Sequence, residues 1–393
     1  MNTMLNKKQF LLYAIQLAFP IMIQNLISTL VNSADTVMLG YVSQTAMAAS
    51  SLANQYTFVL FCFYYGLAIG TSVLCAQYWG KGELSPIRRI AGIALKTTAI
   101  ASIIVFCLCA FMPHMLLQVF TSDAAILEAG LEYMTIIKYT FVLFMFSSCF
   151  MAALRMVEVV KIAFICSIVS LIVNCSINYV LIFGKFGFPE LGITGAAIGT
   201  IVSRIIEFLI ILIYVLKKDK VLRLFSENPF KKDAGLSKDY RKAATVMIFT
   251  EMCWSVATPI QSAILGSMSS NAIAANSIAT TFYNYLKVVI RAASSASSVI
   301  IGSAIGAGDI EEVKAKARTL SVVDVCLGLV LGVSLFFLRK PLLGLYVLND
   351  EAMVLANQMI MLYSFIMVTM SYQMPVTAGI IRAGGDTKFH MLM

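Results

Sequence analysis

Apolar residues along this chain gather into long stretches separated by short polar segments. A hydrocarbon core about 30 Å thick needs roughly 20 apolar residues per helix. Ten stretches are long enough, at approximately 11–39, 45–79, 90–111, 130–153, 162–183, 191–216, 243–265, 272–305, 318–338 and 353–380. The pattern predicts an all-α polytopic membrane protein. Several stretches exceed the required length, which predicts tilt or bending, and Pro20, Pro259 and Pro375 fall inside the first, seventh and tenth. There a missing backbone donor kinks a helix and leaves its carbonyls for neighbours to satisfy. The first stretch follows only two lysines and has no small-residue cleavage site with a polar mature region after it, so it reads as a retained span.

Composition narrows the function classes. Of 393 residues 60% are apolar and 12% charged, with a mean hydropathy of +0.86. A soluble domain carries about 25% charged residues, so a soluble enzyme or nucleic-acid binder is excluded. The net charge of +9 acquires its meaning from position. Counting alternate loops, 21 Lys and Arg fall on one side, nine of them between 217 and 242, against three on the other. Positive residues resist translocation. The amino terminus and the 217–242 loop are therefore expected in the cytoplasm, with the chain multi-pass in the plasma (cell inner) membrane, and the charge reports topology rather than nucleic acid. All nine cysteines lie in apolar stretches without a C-x-x-C pair and read as reduced, buried thiols.

Self-similarity is the most informative feature. The segment Gly40-Tyr-Val-Ser-Gln-Thr-Ala-Met-Ala-Ala-Ser-Ser-Leu-Ala53 matches Gly266-Ser-Met-Ser-Ser-Asn-Ala-Ile-Ala-Ala-Asn-Ser-Ile-Ala279 at an offset of 226, with seven of 14 positions identical. The register runs without a gap to Gly80-Lys-Gly-Glu83 against Gly306-Ala-Gly-Asp309, giving 12 identities in 44. Each copy would hold six spans, an even number, so both enter from the same side as parallel repeats. This is a transporter architecture with the substrate site between the halves. The expected organisation is a six-helix lobe at 1–216, a cytoplasmic linker at 217–242 and a second lobe at 243–393. The second lobe has about four helices, giving about 10 transmembrane helices of an expected 12, and a truncated second repeat is expected to reflect a fragment.

The chain resembles the multidrug and toxic compound extrusion (MATE) antiporters, within the multidrug/oligosaccharidyl-lipid/polysaccharide flippase superfamily. The resemblance rests on Pro20 followed by Asn32-Ser-Ala-Asp-Thr-Val-Met-Leu-Gly40, on Gln77-Tyr-Trp-Gly-Lys-Gly-Glu83, and on Asn174-x3-Asn178-Tyr-Val-Leu-Ile-Phe-Gly184. It continues through Phe188-Pro-Glu-Leu-Gly-Ile-Thr-Gly-Ala-Ala197 and Arg382-Ala-Gly-Gly-Asp-Thr-Lys388. It implies a two-lobed exporter that alternates between inward- and outward-open states, expelling small organic compounds against inward Na⁺ or H⁺. No other cofactor, no nucleic acid and no obligate protein partner is implied; membrane lipid and a small-molecule substrate are.

Ionisable groups at membrane depth cost about 2.5–3.5 kcal/mol each on insertion scales, which makes each a functional candidate. Asp35 lies five residues inside Gly40, Asn178 and Asn174 six and ten inside Gly184, and Thr200 eight past Gly192. At about 1.5 Å per residue all four fall roughly 8–15 Å below one surface, with the two Asn on one helical face. A carboxylate, two amide oxygens and a hydroxyl make a hard-oxygen site for a small cation such as Na⁺. Without a cation, burial favours a neutral carboxyl group, and Asp35 would carry a proton instead. The resemblance matches a family cation site to these same four residues. A cap at Asp35 with amides holding helices together is the structural alternative.

The residue 226 positions after Asp35 is Gln261, which cannot titrate, so the first lobe is the expected coupling lobe. In the second half Glu251 lies about 22 Å deep, Lys287 about 24 Å, and Arg291 one turn further, by helical rise. These three suggest an ion pair or triad at the substrate cleft or a second-lobe coupling point, against a purely structural or snorkelling role. Glu251 also matches a family position associated with cation handling, whereas Lys287 and Arg291 place positive charge where a cationic drug would sit. Neutral, zwitterionic or anionic substrates are therefore open, and Arg204 with Glu207 is expected as a local ion pair. Gly302-x3-Gly306-x-Gly308 lacks the Lys-Ser/Thr of a phosphate-binding loop, so ATP is not the expected energy source. The competing readings are a lipid-linked oligosaccharide flippase, in which Lys287 and Arg291 hold a pyrophosphate, and a non-transporting membrane scaffold.

Overall fold

The computed structural model describes residues 7–118, 123–268, 270–344, 346 and 349–392. Twelve α-helices follow one another, and no strand occurs among the described residues. They are α1 (Lys7–Gly40), α2 (Gln44–Gly80), α3 (Leu84–Phe111), a short α4 (Pro113–Gln118), α5 (Ala124–Met156), α6 (Lys161–Ile182), α7 (Gly192–Ile213), α8 (Ala234–Met268), α9 (Ser270–Ala307), α10 (Ile310–Leu343), α11 (Asp350–Met374) and α12 (Thr387–Leu392). The ten long helices coincide with the ten apolar stretches. Nine, counted among the described residues, are long and apolar enough to cross a membrane. The remaining long helix, α8, covers the stretch at 243–265 and has Glu251 and Gln261 in its apolar section. At 22 to 38 residues, the long helices extend about 33–57 Å, and the longer ones must tilt to fit a 30 Å core.

Helix starts follow local chemistry. Asp123 accepts from the backbone N–H groups of Ala125 and Ile126, Asp309 from Glu312, and Asn349 from Ala352, each satisfying donors that a first turn leaves unpaired. Prolines act unequally. Pro20 sits inside α1; the backbone at 259 lies within α8, its side chain falling outside the described residues. Pro375 ends the regular part of α11 and opens a π-helical segment, Pro375–Ile381. Large apolar side chains such as Ile100, Ile103 and Ile104 on α3, or Val330 and Phe337 on α10, point outward. With lipid as the surroundings that exposure costs nothing.

The chain forms two compact units. Unit 1 comprises residues 1–22, 76–82 and 253–393, and unit 2 comprises 23–75 and 83–252. In unit 2, α6 and α7 form a tight hairpin, and α5 packs on α7 and α3. Its core includes Leu39, Tyr133, Met134, Phe141, Ile182 and Ala197. The segment after α7 folds back on α3 through Arg88 with Glu227 and Arg89 with Asp233. In unit 1, α9, α10 and α11 pack mutually around Ala275, Ile278, Leu335, Ala356 and Ile360. The end of α2 crosses the end of α9 backbone to backbone: a side chain on Gly80 would overlap the Ser303 carbonyl, and one on Gly306 would overlap that of Gln77.

Candidate functional site

Unit 2 brings Asp35, Asn174, Asn178 and Thr200 together. The end of α1 supplies Asp35, 6% exposed; α6 supplies Asn174 and Asn178, both fully buried; and α7 supplies Thr200, part-buried. Asn178 Nδ2 donates to Asp35 Oδ1 at 2.5 Å and approaches Asn174 Oδ1 at 3.3 Å. Thr200 Oγ1 donates to Asp35 Oδ2 at 3.5 Å and receives Asn174 Nδ2 at 3.4 Å. The four side chains close a ring, and one buried atom stays outside it: Asn178 Oδ1 has no hydrogen-bond partner among the described residues. That oxygen faces Gly199, where any Cβ would overlap it. Asp35 Oδ1 and Oδ2, the two amide oxygens and the Thr200 hydroxyl thus provide five hard oxygens in one buried cluster, the donor set a small cation favours.

Two flanking groups complete the surroundings. Tyr133 of α5, 3% exposed, lies beside Thr200 and Ser50. Arg204, one turn beyond Thr200, pairs with Glu207 at 2.7 Å as the sequence spacing predicts, and its guanidinium lies 5.0 Å from the Phe144 ring centre. Sequence reasoning missed Tyr133, because a lone aromatic hydroxyl in an apolar helix is indistinguishable from packing. It also missed Gly199, although the run Gly192-x2-Gly195-x3-Gly199 has the small-residue spacing of close helix contact.

The family model MatE matches residues 20–180 and 243–393. The chain belongs to the MatE family. This MatE protein is a membrane transporter and not an enzyme. Its fold is shared with a multidrug resistance MATE family transporter of the MOP superfamily solved in an outward-facing conformation, at a TM-score of 0.89 and 16% identity over 98% of this chain and 85% of that one. It is shared with a MOP superfamily transporter from Pyrococcus furiosus, whose binding pocket is described as reversed in polarity, at 0.87 and 17% over 97% and 84%. A mutant of the Vibrio cholerae MATE transporter VcmN gives 0.87 and 16% over 98% and 86%.

The other candidates in this MatE chain are distributed between the units. Glu251 lies on the part of α8 that belongs to unit 2 and is half-buried. Lys287 and Arg291, one turn apart on α9, belong to unit 1. Lys287 Nζ sits 5.3 Å from the Trp254 ring centre and 5.4 Å from that of Tyr283. Ring faces attract a cation in a desolvated setting, so two aromatics hold the ammonium group. Neither Lys287 nor Arg291 takes an ion pair with an acidic side chain of unit 1 among the described residues. Gln261 is exposed and borders a largely apolar groove of about 640 Å³ within unit 1, with Ile260, Asn276, Met359 and Tyr363 on its walls. Tyr363 donates to Asn276 Oδ1 at 3.2 Å and stacks on Tyr283 at 4.8 Å between ring centres.

Proposed function

We propose that this transporter is a cation-coupled exporter of small organic compounds, multi-pass in the plasma membrane with its amino terminus in the cytoplasm, built from parallel six-helix repeats. In this reading Na⁺ or H⁺ enters at Asp35, Asn174, Asn178 and Thr200. The observation that carries it is the unpaired Asn178 Oδ1 beside a buried carboxylate. Turning the Asn178 amide exchanges a donor for an acceptor next to Asp35 and Asn174. Three acceptors then converge, an arrangement stable only with a cation or a proton among them. Occupancy and amide orientation are therefore coupled, and the cation biases the equilibrium between access states. Linkage makes the effect mutual: a cation that weakens substrate binding is weakened by substrate to the same degree.

The test is dye efflux from a drug-hypersensitive bacterial host, with external Na⁺ and the pH gradient varied separately. Asp35→Asn should abolish gradient-driven efflux, a loss of at least about tenfold since one tenfold step is only 1.4 kcal/mol, while the protein remains in the membrane. Retained gradient-driven efflux in that mutant would sink the coupling role. The dependence in the unsubstituted protein names the ion.

A specific observation favours a second reading of the substrate. Lys287 and Arg291 offer two cations without acidic partners among the described residues of unit 1, and an Arg is suited to the paired oxygens of phosphate. A lipid-linked oligosaccharide carrying a pyrophosphate fits that charge better than a cationic drug does. Rescue of a lipid-flipping defect, lost in Lys287→Gln, would support it.

A further inference from the structure

Asp324 lies mid-way along α10 and is 2% exposed. Its Oδ2 is buried without a hydrogen-bond partner, and among the described residues it takes no ion pair. Its place in the bundle follows from the register of α10 on α11. Gly332 abuts the Ser364 carbonyl, and Gly328 abuts Ser371 and the Val368 carbonyl, so the helices run antiparallel. Asp324 is one turn before Gly328 on the same face, which brings it level with Pro375. Pro375 has no N–H, so the Ser371 carbonyl loses its α-helical donor there, and the π-helical segment Pro375–Ile381 begins at that point.

None of the described groups around this break donates to Asp324 Oδ2. Ser371 and Ser364 hydroxyls donate to Val368 O and Ile360 O of their own helix, each at 2.8 Å. From α9, Ser294 donates to Met374 O at 3.3 Å, while the buried hydroxyl oxygens of Ser297 and Ser298 have no partner among the described residues. Charges are remote or unpaired with it. On α11 and the π segment none lies between Glu351 and Arg382; on α10 the nearest are Arg318 and Arg339; on α9 Lys287 and Arg291 stand nearest, with Arg291 exposed. An ionised carboxylate so deep, without countercharge and with Oδ2 receiving no hydrogen bond, is prohibitively costly, and such groups are neutralised instead. One carboxylate, with the Ser371 and Ser364 hydroxyls committed to their own helix, offers too few hard oxygens for Na⁺, and no cluster of three His, Cys, Asp or Glu exists among the described residues.

We propose that Asp324 is a second proton-carrying site of this protein, in which the bound proton bridges the carboxyl group to the backbone acceptors exposed where Pro375 interrupts α11. It is separate from the Asp35 cluster, which lies in unit 2, and it does not depend on the coupling role given to Asp35. The ligand is a single proton, held as a carboxylic acid O–H.

Infrared spectroscopy on the purified full chain in lipid nanodiscs, at neutral pH and without Na⁺, reads that proton directly. A protonated carboxylic-acid carbonyl band is expected in the unsubstituted protein and in Asp35→Asn, and it should bleach reversibly on alkalinisation. It should be lost in Asp324→Asn. Asp324→Glu keeps the carboxyl group and should retain the band at a shifted frequency, so the assignment survives an Asn variant that fails to fold. Three results would overturn the proposal: undiminished band intensity in Asp324→Asn together with an unshifted band in Asp324→Glu, a band that never bleaches with pH, or a band that NaCl displaces at constant pH in Asp35→Asn, which would mark a metal-cation site.

Discussion

At residue 199 a hydrogen atom is all that fits. A methyl group there would overlap Asn178 Oδ1, so Gly199→Ala must push the Asn178 side chain away from α7 and against Asp35. Overpacking of this kind costs roughly 1–3 kcal/mol. With the fold held by its many other contacts, that cost falls on the ring of four side chains. The cation concentration for half-maximal efflux in Gly199→Ala should rise about tenfold, one tenfold step being 1.4 kcal/mol, with unchanged membrane expression. An unchanged cation dependence would show that the Asn178 oxygen has no part in binding. Asp35, Asn174, Asn178 and Thr200 were legible as a set because helical rise turns sequence spacing into depth. The orphaned oxygen, its glycine neighbour and Tyr133 were not, since they depend on the distance and rotation between helices, which no single-helix pattern encodes.

At the scale of elements, the polar segment between α7 and α8 is docked onto α3. Arg88 Nη1 meets Glu227 Oε1 at 2.5 Å and Arg88 Nε donates to the Leu222 carbonyl at 2.8 Å. Arg89 meets Asp233 at 3.2 Å, and Lys96 donates to the Phe230 carbonyl at 3.0 Å. The Ser85 hydroxyl and the Arg88 and Arg89 charges hold the Glu227 carboxyl below its ordinary range; the Leu236 backbone N–H and Arg89 do the same for Asp233. Carboxylates depressed on folding stabilise the docked state above their unfolded range, and that contribution disappears as the pH falls through the folded values. Hydrogen exchange across 219–233 should thus be slow at neutral pH and accelerate on acidification below the usual carboxylate range. Arg88→Gln should accelerate it at neutral pH, and high salt should weaken the difference between the two. Exchange that is fast throughout would show that the segment is undocked. The sequence marked this stretch as a charged connection; that its acids pair with a particular helix face was beyond it, because the partners are more than a hundred residues away.

For the whole molecule, the crossing of α2 and α9 is reciprocal: Gly80 lies against Ser303 and Gly306 against Gln77, and both the two glycines and their two partners are 226 positions apart in sequence. Gly80→Ala and Gly306→Ala should each lower thermal stability in detergent by about 1–3 kcal/mol. The double variant should lose less than the sum, since one displaced crossing relieves both overlaps. Strict additivity would mean that the two contacts are independent. The ten long helices were readable because a span must be both long and apolar. The grouping of helices into units was less so, because Gln77 donates to Ala383 O at 2.8 Å across 306 positions of chain. Unit 1 is assembled from three separate pieces, of which residues 76–82 leave the ribosome long before 253–393. At about 5–20 residues per second the end of α2 waits roughly 10–45 s for the helix it must cross. During translation that short, glycine-tipped stretch lacks its partners on α9, and the newly made chain must be guarded there until they are inserted.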